Sequence, residues 1–323
     1  LAAPSVTETN NNLYTTTWNR RRDAGLIDQY FNHRMVLAYW NASGRRKPDT
    51  GGRYIEVPAS IAPNETVAWI GRGGGVSLEE TDHMRVLRFP RKRIAANLSI
   101  FSDDEAANMG AAKKIDLVNA ELDNAKDSIL DQLNLAILGA ADEDSFTLTG
   151  IQHIINSAPA TGGTVGGFSM TTYPWWRNKQ KTSTGSYHLY LIEDMTNLWN
   201  TVSTSQGSQE AKAILTGQTP YEYYGEVAKE ERRVYNKMML DAGYKSLEFN
   251  GAPLIWDVAG PSDKMYFVSQ YIELQFHSKY NMSQTDWKEI PNQPDDRVKQ
   301  IVWRGNLITR RQRCNGVLTS ISS

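Results

Sequence analysis

The stretch from Asp103 to Leu138 constrains the fold more than any other part of the chain. Met109, Ala112, Ile115, Val118, Leu122, Ala125, Ile129 and Leu133 recur at intervals of three and four, the period of one helix face. Ser102, Asp103, Asp104 and Glu105 read as a capping box: the Ser102 hydroxyl accepts the Glu105 amide while Glu105 reaches back. Three acids in the first turn complement the helix dipole, and Gly139 is expected to supply a left-handed stop. Such a helix has about 36 residues and is ~54 Å long, against about 11–12 residues for an ordinary one. That length predicts a coiled coil or a structural spine. Lys113, Lys114, Asp116, Glu121, Asp123 and Asp127 keep one face wet, which excludes a membrane helix.

What precedes the spine is not compact. Residues 1–48 are polar and basic, with Asn10–Asn12 and Arg20–Arg22, and only Ile27 to Tyr39 shows helical spacing. Arg45, Arg46 and Lys47 lead into Pro48 and a Gly51-Gly52 turn. Strand patterns follow at Tyr54–Val57, around Val67 and Trp69, at Met84–Phe89 and at Ile94–Ile100. Gly71-Arg72-Gly73-Gly74-Gly75 forms a loop crest, and Pro58, Pro63 and Pro90 are expected to break the pairing. Residues 53–101 therefore predict a long hairpin with little interior of its own.

After the spine comes a loop-rich segment, 145–186, carrying Gly162–Gly167 and Tyr173-Pro174-Trp175-Trp176-Arg177-Asn178-Lys179. An α/β mixture follows. Leu189, Ile192, Met195, Trp199 and Val202 mark a helix, and Ala213–Leu215 a short strand. Thr219-Pro220-Tyr221-Glu222 reads as a second capping box, with Pro220 at the first helical position and a helix running to about Ala242. Strands are expected near Leu254–Trp256, Met265–Val268, Tyr271–His277 and Val298–Thr309. The fold class is α+β.

Composition removes several functions. Thirty-five Lys+Arg against 36 Asp+Glu give a net charge of -1 over 323 residues, so the chain as a whole is no DNA-condensing protein. Cys314 alone excludes an intrachain disulfide framework and a cysteine-based zinc site. The longest apolar patch, Leu133–Ala141, is interrupted by Asn134 and Gly139 and is too short for a membrane span. A soluble protein of a reducing compartment is expected, and a start at Leu1 without methionine suggests missing leading residues. The five histidines are scattered singly, and the glycine crest lacks the Gly-Lys-Ser/Thr ending of a phosphate loop. Asp142-Glu143-Asp144 reads as a solvated turn rather than a calcium loop. Trp175 and Trp176, adjacent on a strand, would face opposite sides and act as packing anchors rather than a sugar platform. The basic clusters at 20–22, 45–47, 91–93 and 310–313 are expected to meet the acidic clusters at 103–105, 142–144, 230–231 and 295–296, within or between subunits. No catalytic motif, cofactor site or metal set emerges.

The order of parts resembles the major capsid proteins of tailed bacteriophages, with the Hong Kong 97-type fold. The more specific likeness is to a capsid subfamily in which a glycine-rich segment, here Gly162–Gly167, leads to a paired aromatic, here Trp175-Trp176. The tail fits as well: Met265–Val268, Tyr271–Leu274, Gln300–Leu307 and Gly316-Val317-Leu318. The resemblance implies an N-terminal arm (1–48), an extended hairpin or E-loop (49–101) and a peripheral domain (102–186) with the spine helix. It further implies an axial domain (187–285) and C-terminal strands (286–323) that return to the peripheral domain. It implies self-assembly into hexamers and pentamers of an icosahedral-type head in the host cytoplasm, around double-stranded DNA, in a virion. Portal and scaffolding proteins, and decoration proteins in some shells, are the implied further partners; no cofactor and no membrane are. Members that cross-link covalently need a hairpin lysine, a partner asparagine and a buried glutamate. That trio is not placed here, with Lys92 the sole lysine candidate, so a noncovalent shell is expected.

The residues point the same way independently: projections that cannot bury themselves, a helix too long for a compact enzyme, and complementary charge clusters describe a subunit completed by neighbours. Arg45, Arg46, Trp69, Arg72, Arg91, Lys92, Arg93, Trp175, Trp176 and Arg177 are the expected assembly residues. Two other readings compete: an encapsulin-like compartment shell, and a Trp-rich glycan-binding protein or hydrolase, which would need aligned rings or a carboxylate pair.

Overall fold

The computed structural model describes residues 34–61, 64, 66–79, 82–101, 117–203, 211–228, 247–290 and 296–322. The Ser102 capping box, the first part of the spine, Arg20–Arg22, Pro63, the acidic pair at 230–231 and the predicted helix from 229 to Ala242 lie outside them. The described residues fall into two compact units. The larger takes those of His33–Ile94, Gln132–Asn281 and Trp303–Ser323, the smaller those of Ala95–Asp131 and Met282–Val302.

The larger unit opens with helix α1 (Met35–Ala42), which buries Val36, Leu37, Tyr39 and Trp40. Strand β1 (Arg46–Asp49) follows, then the hairpin strands β2 (Tyr54–Ser60) and β3 (Met84–Pro90), and β4 (Lys92–Ile100). The spine, helix α2 (Leu117–Leu138), belongs to this unit from Gln132 and to the smaller one before that, as β4 does from Ala95, and a single helical turn, α3 (Ile151–Ile154), comes after it. The glycine-rich segment makes a small hairpin of β5 (Thr164–Val165) and β6 (Phe168–Ser169).

The main sheet has six strands in the order β7 (Lys179–Thr182), β16 (Gly316–Thr319), β11 (Met265–Val268), β8 (Ala213–Thr216), β10 (Ala252–Trp256) and β9 (Leu247–Phe249). β8, β11 and β16 are buried at every position, as expected of strands covered on both faces. Helix α4 (Tyr187–Ser203) lays Leu191, Met195, Leu198, Trp199 and Val202 into the same core as Ile214, Leu254, Met265, Phe267 and Leu318. Helix α5 (Gln218–Val227) adds Tyr224. A second sheet pairs β12 (Ile272–His277) parallel to β1, Leu274 opposite Arg46, and antiparallel to the Trp303–Thr309 half of β15 (Arg297–Thr309), Leu274 opposite Leu307.

In the smaller unit, Ile129 on α2 is buried while Leu122 is half-buried. Strands β13 (Ser283–Gln284) and β14 (Lys288–Glu289) pair antiparallel with the first half of β15, Ser283 opposite Val302 and Lys288 opposite Val298. Lys299 extends over the Trp287 ring at 5.6 Å.

Several expectations are corrected. The helix predicted over Ile27–Tyr39 is described only from Met35 and continues to Ala42. Val67 and Trp69 lie in no strand. Pro58 does not interrupt the hairpin: it sits in β2 opposite Val86, because each strand of a two-stranded hairpin is an edge that tolerates a missing N–H. Gly139 is not left-handed; its N–H closes the spine on the Ala136 carbonyl at 3.2 Å. Helix α5 starts at Gln218, two residues before the predicted first helical position at Pro220, and is capped by Gly217 with no side-chain bond. A Cβ at Gly217 would meet the Pro261 carbonyl oxygen at 2.4 Å, so backbone approach, not a Thr219 hydroxyl, sets that helix start.

Candidate interaction surface

The hairpin is built in two parts with opposite properties. At its root the two-residue period places Ile55 and Val57 of β2 and Leu87 and Phe89 of β3 on one face. They pack with Val165, Met170, Trp176 and Ile308 into a dry cluster. Tyr54, Met84 and Val86 point the other way and are exposed. Beyond Ser60 one further backbone bond, from the Ile61 N–H to the His83 carbonyl at 2.9 Å, extends the ladder. Residues 66–79 then carry no strand or helix, and Val67, Trp69, Ile70, Val76 and Leu78 all face solvent. Leu78 is 98% exposed and Trp69 wholly so. Arg72 is also exposed, in a turn closed by the Gly74 N–H on the Gly71 carbonyl at 3.0 Å.

The aromatic pair holds the root. Pro174–Trp176 forms a 3-10 turn, not a strand, so the two rings do not face apart: their centroids lie 5.7 Å from each other. Trp176 is buried and donates Nε1–H to the Val165 carbonyl at 2.9 Å, while Trp175 and Tyr173 set their edges against Phe168. Arg177 donates Nε–H to the Met170 carbonyl at 2.6 Å and Nη2–H to the Thr171 carbonyl at 2.9 Å.

Between β5 and β6, Gly166 takes a left-handed φ of 64°, and a Cβ there would meet Phe89 Cζ at 3.0 Å. Its carbonyl accepts the Arg88 N–H at 3.1 Å, and its own N–H goes to Glu143 Oε1 at 2.6 Å. The Asp142–Asp144 segment is thus more than a solvated turn. Burial raises the Glu143 carboxyl to about 7; N–H groups of Gly166 and Gly167 and the charge of Lys92 pull it down, and Asp144 pushes it up. Lys92 donates Nζ–H to the carbonyls of Glu143, at 2.6 Å, and Ser145. Burial lowers the Lys92 pKa, against the raising effect of Asp142, Asp144 and Glu143. The basic cluster at 91–93 and the acidic cluster at 142–144 therefore meet within one chain. At the exit of β3, Arg91 pairs with Asp49 and with the Gly51 carbonyl.

The remaining expected residues divide by burial. Arg45 is buried, its guanidinium 5.0 Å from the Tyr39 ring centroid and donating to the Ser269 carbonyl at 3.0 Å. Burial lowers its pKa, with Tyr39 and Glu273 opposing. Arg46 lies over the Phe276 ring at 4.7 Å and donates to Asn281. Arg93 is exposed, like Trp69 and Arg72. Sequence reasoning took Glu143 only as part of a solvated acidic turn and passed over Phe146, which is 98% exposed in the same turn. Among the described residues, no three His, Cys, Asp or Glu side chains gather to hold a metal, and no helix is long and apolar enough to cross a membrane.

No family model and no curated protein matches the sequence. Solved structures do match, over the whole chain. The capsid asymmetric unit of cyanophage A-1(L) superposes with a TM-score of 0.67 at 18% identity, covering 97% of this chain and 99% of that one. The capsid of a native GTA particle gives 0.62 at 10% identity, covering 100% of each chain. The SrpI encapsulin of Synechococcus elongatus PCC 7942 gives 0.61 at 10% identity, covering 100% of this chain and 97% of that one. A hairpin, a spine helix, a six-stranded α/β core and a returning C-terminal strand, matched end to end by these shells, give this chain the Hong Kong 97-type capsid fold.

Proposed function

We propose that the chain is the major capsid protein of a tailed double-stranded DNA bacteriophage. Copies assemble into hexamers and pentamers of a closed head in the host cytoplasm and remain in the virion. The observation that carries this reading is the hairpin: its root is fastened into the subunit, while Val67, Trp69, Val76 and Leu78 are bare in a single chain. Apolar side chains of that size, grouped on a projection, mark a contact surface. The whole-chain likeness to shell subunits supplies the partner: a second copy of the chain. The role is structural, with no chemistry asked of the side chains. The ten expected assembly residues then divide into Trp69, Arg72 and Arg93, which face outward to touch neighbours, and Arg45, Arg46, Arg91, Lys92, Trp175, Trp176 and Arg177, which fix the shape of the presenting scaffold. Portal and scaffolding proteins and packaged DNA complete the set of partners.

Expression of the chain followed by gel filtration and negative-stain microscopy tests this. Megadalton shells or stable capsomers are expected; a monomer at all concentrations, alone and with phage scaffolding protein, would overturn the reading. The encapsulin likeness, matched at a nearly equal TM-score, sustains a second reading as a compartment shell. Nuclease-resistant DNA in particles from infected cells favours the phage head, and co-purifying enzyme cargo favours the compartment.

A further inference from the structure

The contacts beneath the hairpin root form a chain of three links. Lys92 Nζ fixes the Glu143–Ser145 backbone, Glu143 Oε1 accepts the Gly166 N–H at 2.6 Å, and the Gly166 carbonyl accepts the Arg88 N–H of β3 at 3.1 Å. Gly166 also lies against Phe89 and Leu87, the inward residues of the hairpin. The turn is therefore wedged between one carboxyl group and the hairpin. We propose that Glu143 is a proton-operated latch, which seats the hairpin root firmly when neutral and loosens it when ionised.

The physical reason is burial. A neutral carboxyl still accepts the Gly166 N–H through its carbonyl oxygen and adds no charge to the packed root. An ionised one must be desolvated there, which outweighs the help of Lys92 and the two glycine N–H groups and holds the proton up to about pH 7. The seated root thus binds the proton more tightly than an opened one, in which Glu143 meets water. Seating is strongest below the ordinary carboxylate range and weakens as pH rises through about 7. The charged groups acting on Glu143 are Lys92 from β4 and Asp144 from the same turn, with Asp142 acting in turn on Lys92; the Arg88 side chain of β3 pairs instead with Glu56 at 3.1 Å. His153 of α3 contacts the Thr164 carbonyl at 3.0 Å, and the Glu143→Gln control separates its influence from that of Glu143. The latch stands on the geometry of one chain and does not depend on the capsid reading.

The measurement is hydrogen exchange at the Arg88 amide in the full-length chain, corrected for intrinsic rates, between pH 5 and pH 8. Root opening is expected to rise about tenfold or more over that range. Glu143→Gln keeps an acceptor for the Gly166 N–H and cannot ionise, so its opening is expected to stay flat and low. A flat profile in the wild-type chain, or the same rise in Glu143→Gln, overturns the proposal. Should the variant fail to fold, the carboxyl carbon of Glu143 followed by NMR in the wild-type chain decides: a midpoint near 7 supports the latch, and one in the ordinary range of about 4–5 overturns it.

Discussion

The side chain of Asn306 donates an N–H to the backbone carbonyl of Pro90 at 2.8 Å, tying the returning β15 strand to the exit of the hairpin. The same amide donates to the Thr149 hydroxyl at 3.0 Å, and its oxygen accepts the N–H groups of Thr149 and Leu307. Asn306 is fully buried, so one side chain satisfies polar groups from three separate segments, those of Thr149 and Leu307 buried as well. Replacing it with leucine keeps the volume and strands those partners. A loss of about 2–4 kcal/mol is expected, since each abandoned buried group costs ~1–3 kcal/mol. Urea unfolding measures it; a loss below about 0.5 kcal/mol would show that the network contributes nothing.

The spine offers a comparison within one helix. Ile129 is 2% exposed, whereas Leu122, seven residues earlier on the same predicted stripe, is only half-buried. Ile129→Asp is expected to abolish soluble expression, because an unpaired charge in a core costs several kcal/mol. Leu122→Asp is expected to be milder, since its carboxylate can reach water. Equal loss of soluble protein from both variants would mean that Leu122 is covered as fully as Ile129.

Helix α4 and strands β8, β11, β12 and β15 were readable because each carries its own period: Met195, Trp199 and Val202 mark the helix, and unbroken apolar runs mark the covered strands. What sequence could not show was set by contacts between distant segments. Gly217 starts α5 because the Pro261 carbonyl lies against it, 44 positions away, and no capping pattern records that approach. Glu143 reads as one acid among three until the Gly166 turn closes over it. The basic clusters were expected to meet acidic ones, and 91–93 does meet 142–144, but the form of the contact was not legible. Arg45 and Lys92 are both buried against backbone carbonyls supplied by segments far along the chain. Exposure was easier to read: Trp69 and Arg72, beside the glycine crest, face solvent as their setting implies.

Lys92 tests the coupling under the hairpin root. It is 8% exposed and serves the Glu143 and Ser145 carbonyls. Lys92→Met fills the space and removes both bonds, with an expected cost of about 1–3 kcal/mol. It also removes a cation whose charge favours the ionised form of Glu143. The Glu143 titration midpoint is therefore expected to move upward, above about 7, in the variant. NMR titration of the carboxyl carbon reads the shift, and a midpoint that falls or stays in place contradicts the coupling.

The hairpin tip separates folding from assembly. Trp69 and Leu78 are bare, and residues 66–79 contribute none of the root cluster, which consists of Ile55, Val57, Leu87, Phe89, Val165, Met170, Trp176 and Ile308. Trp69→Ser combined with Leu78→Ser is therefore expected to change unfolding free energy by no more than about 0.5 kcal/mol, as for other surface sites. If these two side chains are buried by a neighbouring copy, the cost falls on association: about 1.5–3 kcal/mol for each large apolar side chain left in water, repeated at every subunit contact of a shell. The double variant should stay folded by circular dichroism and elute as small species at concentrations where the parent chain forms particles. Excising residues 63–78 and closing the gap with a short Gly/Ser turn should do the same, since the last backbone rung, Ile61 to His83, lies outside the excision. A variant that unfolds would place the tip in an intramolecular core. A folded variant that still closes normal shells would show that the contact between copies is made elsewhere, and the hairpin would lose its role as the assembling surface.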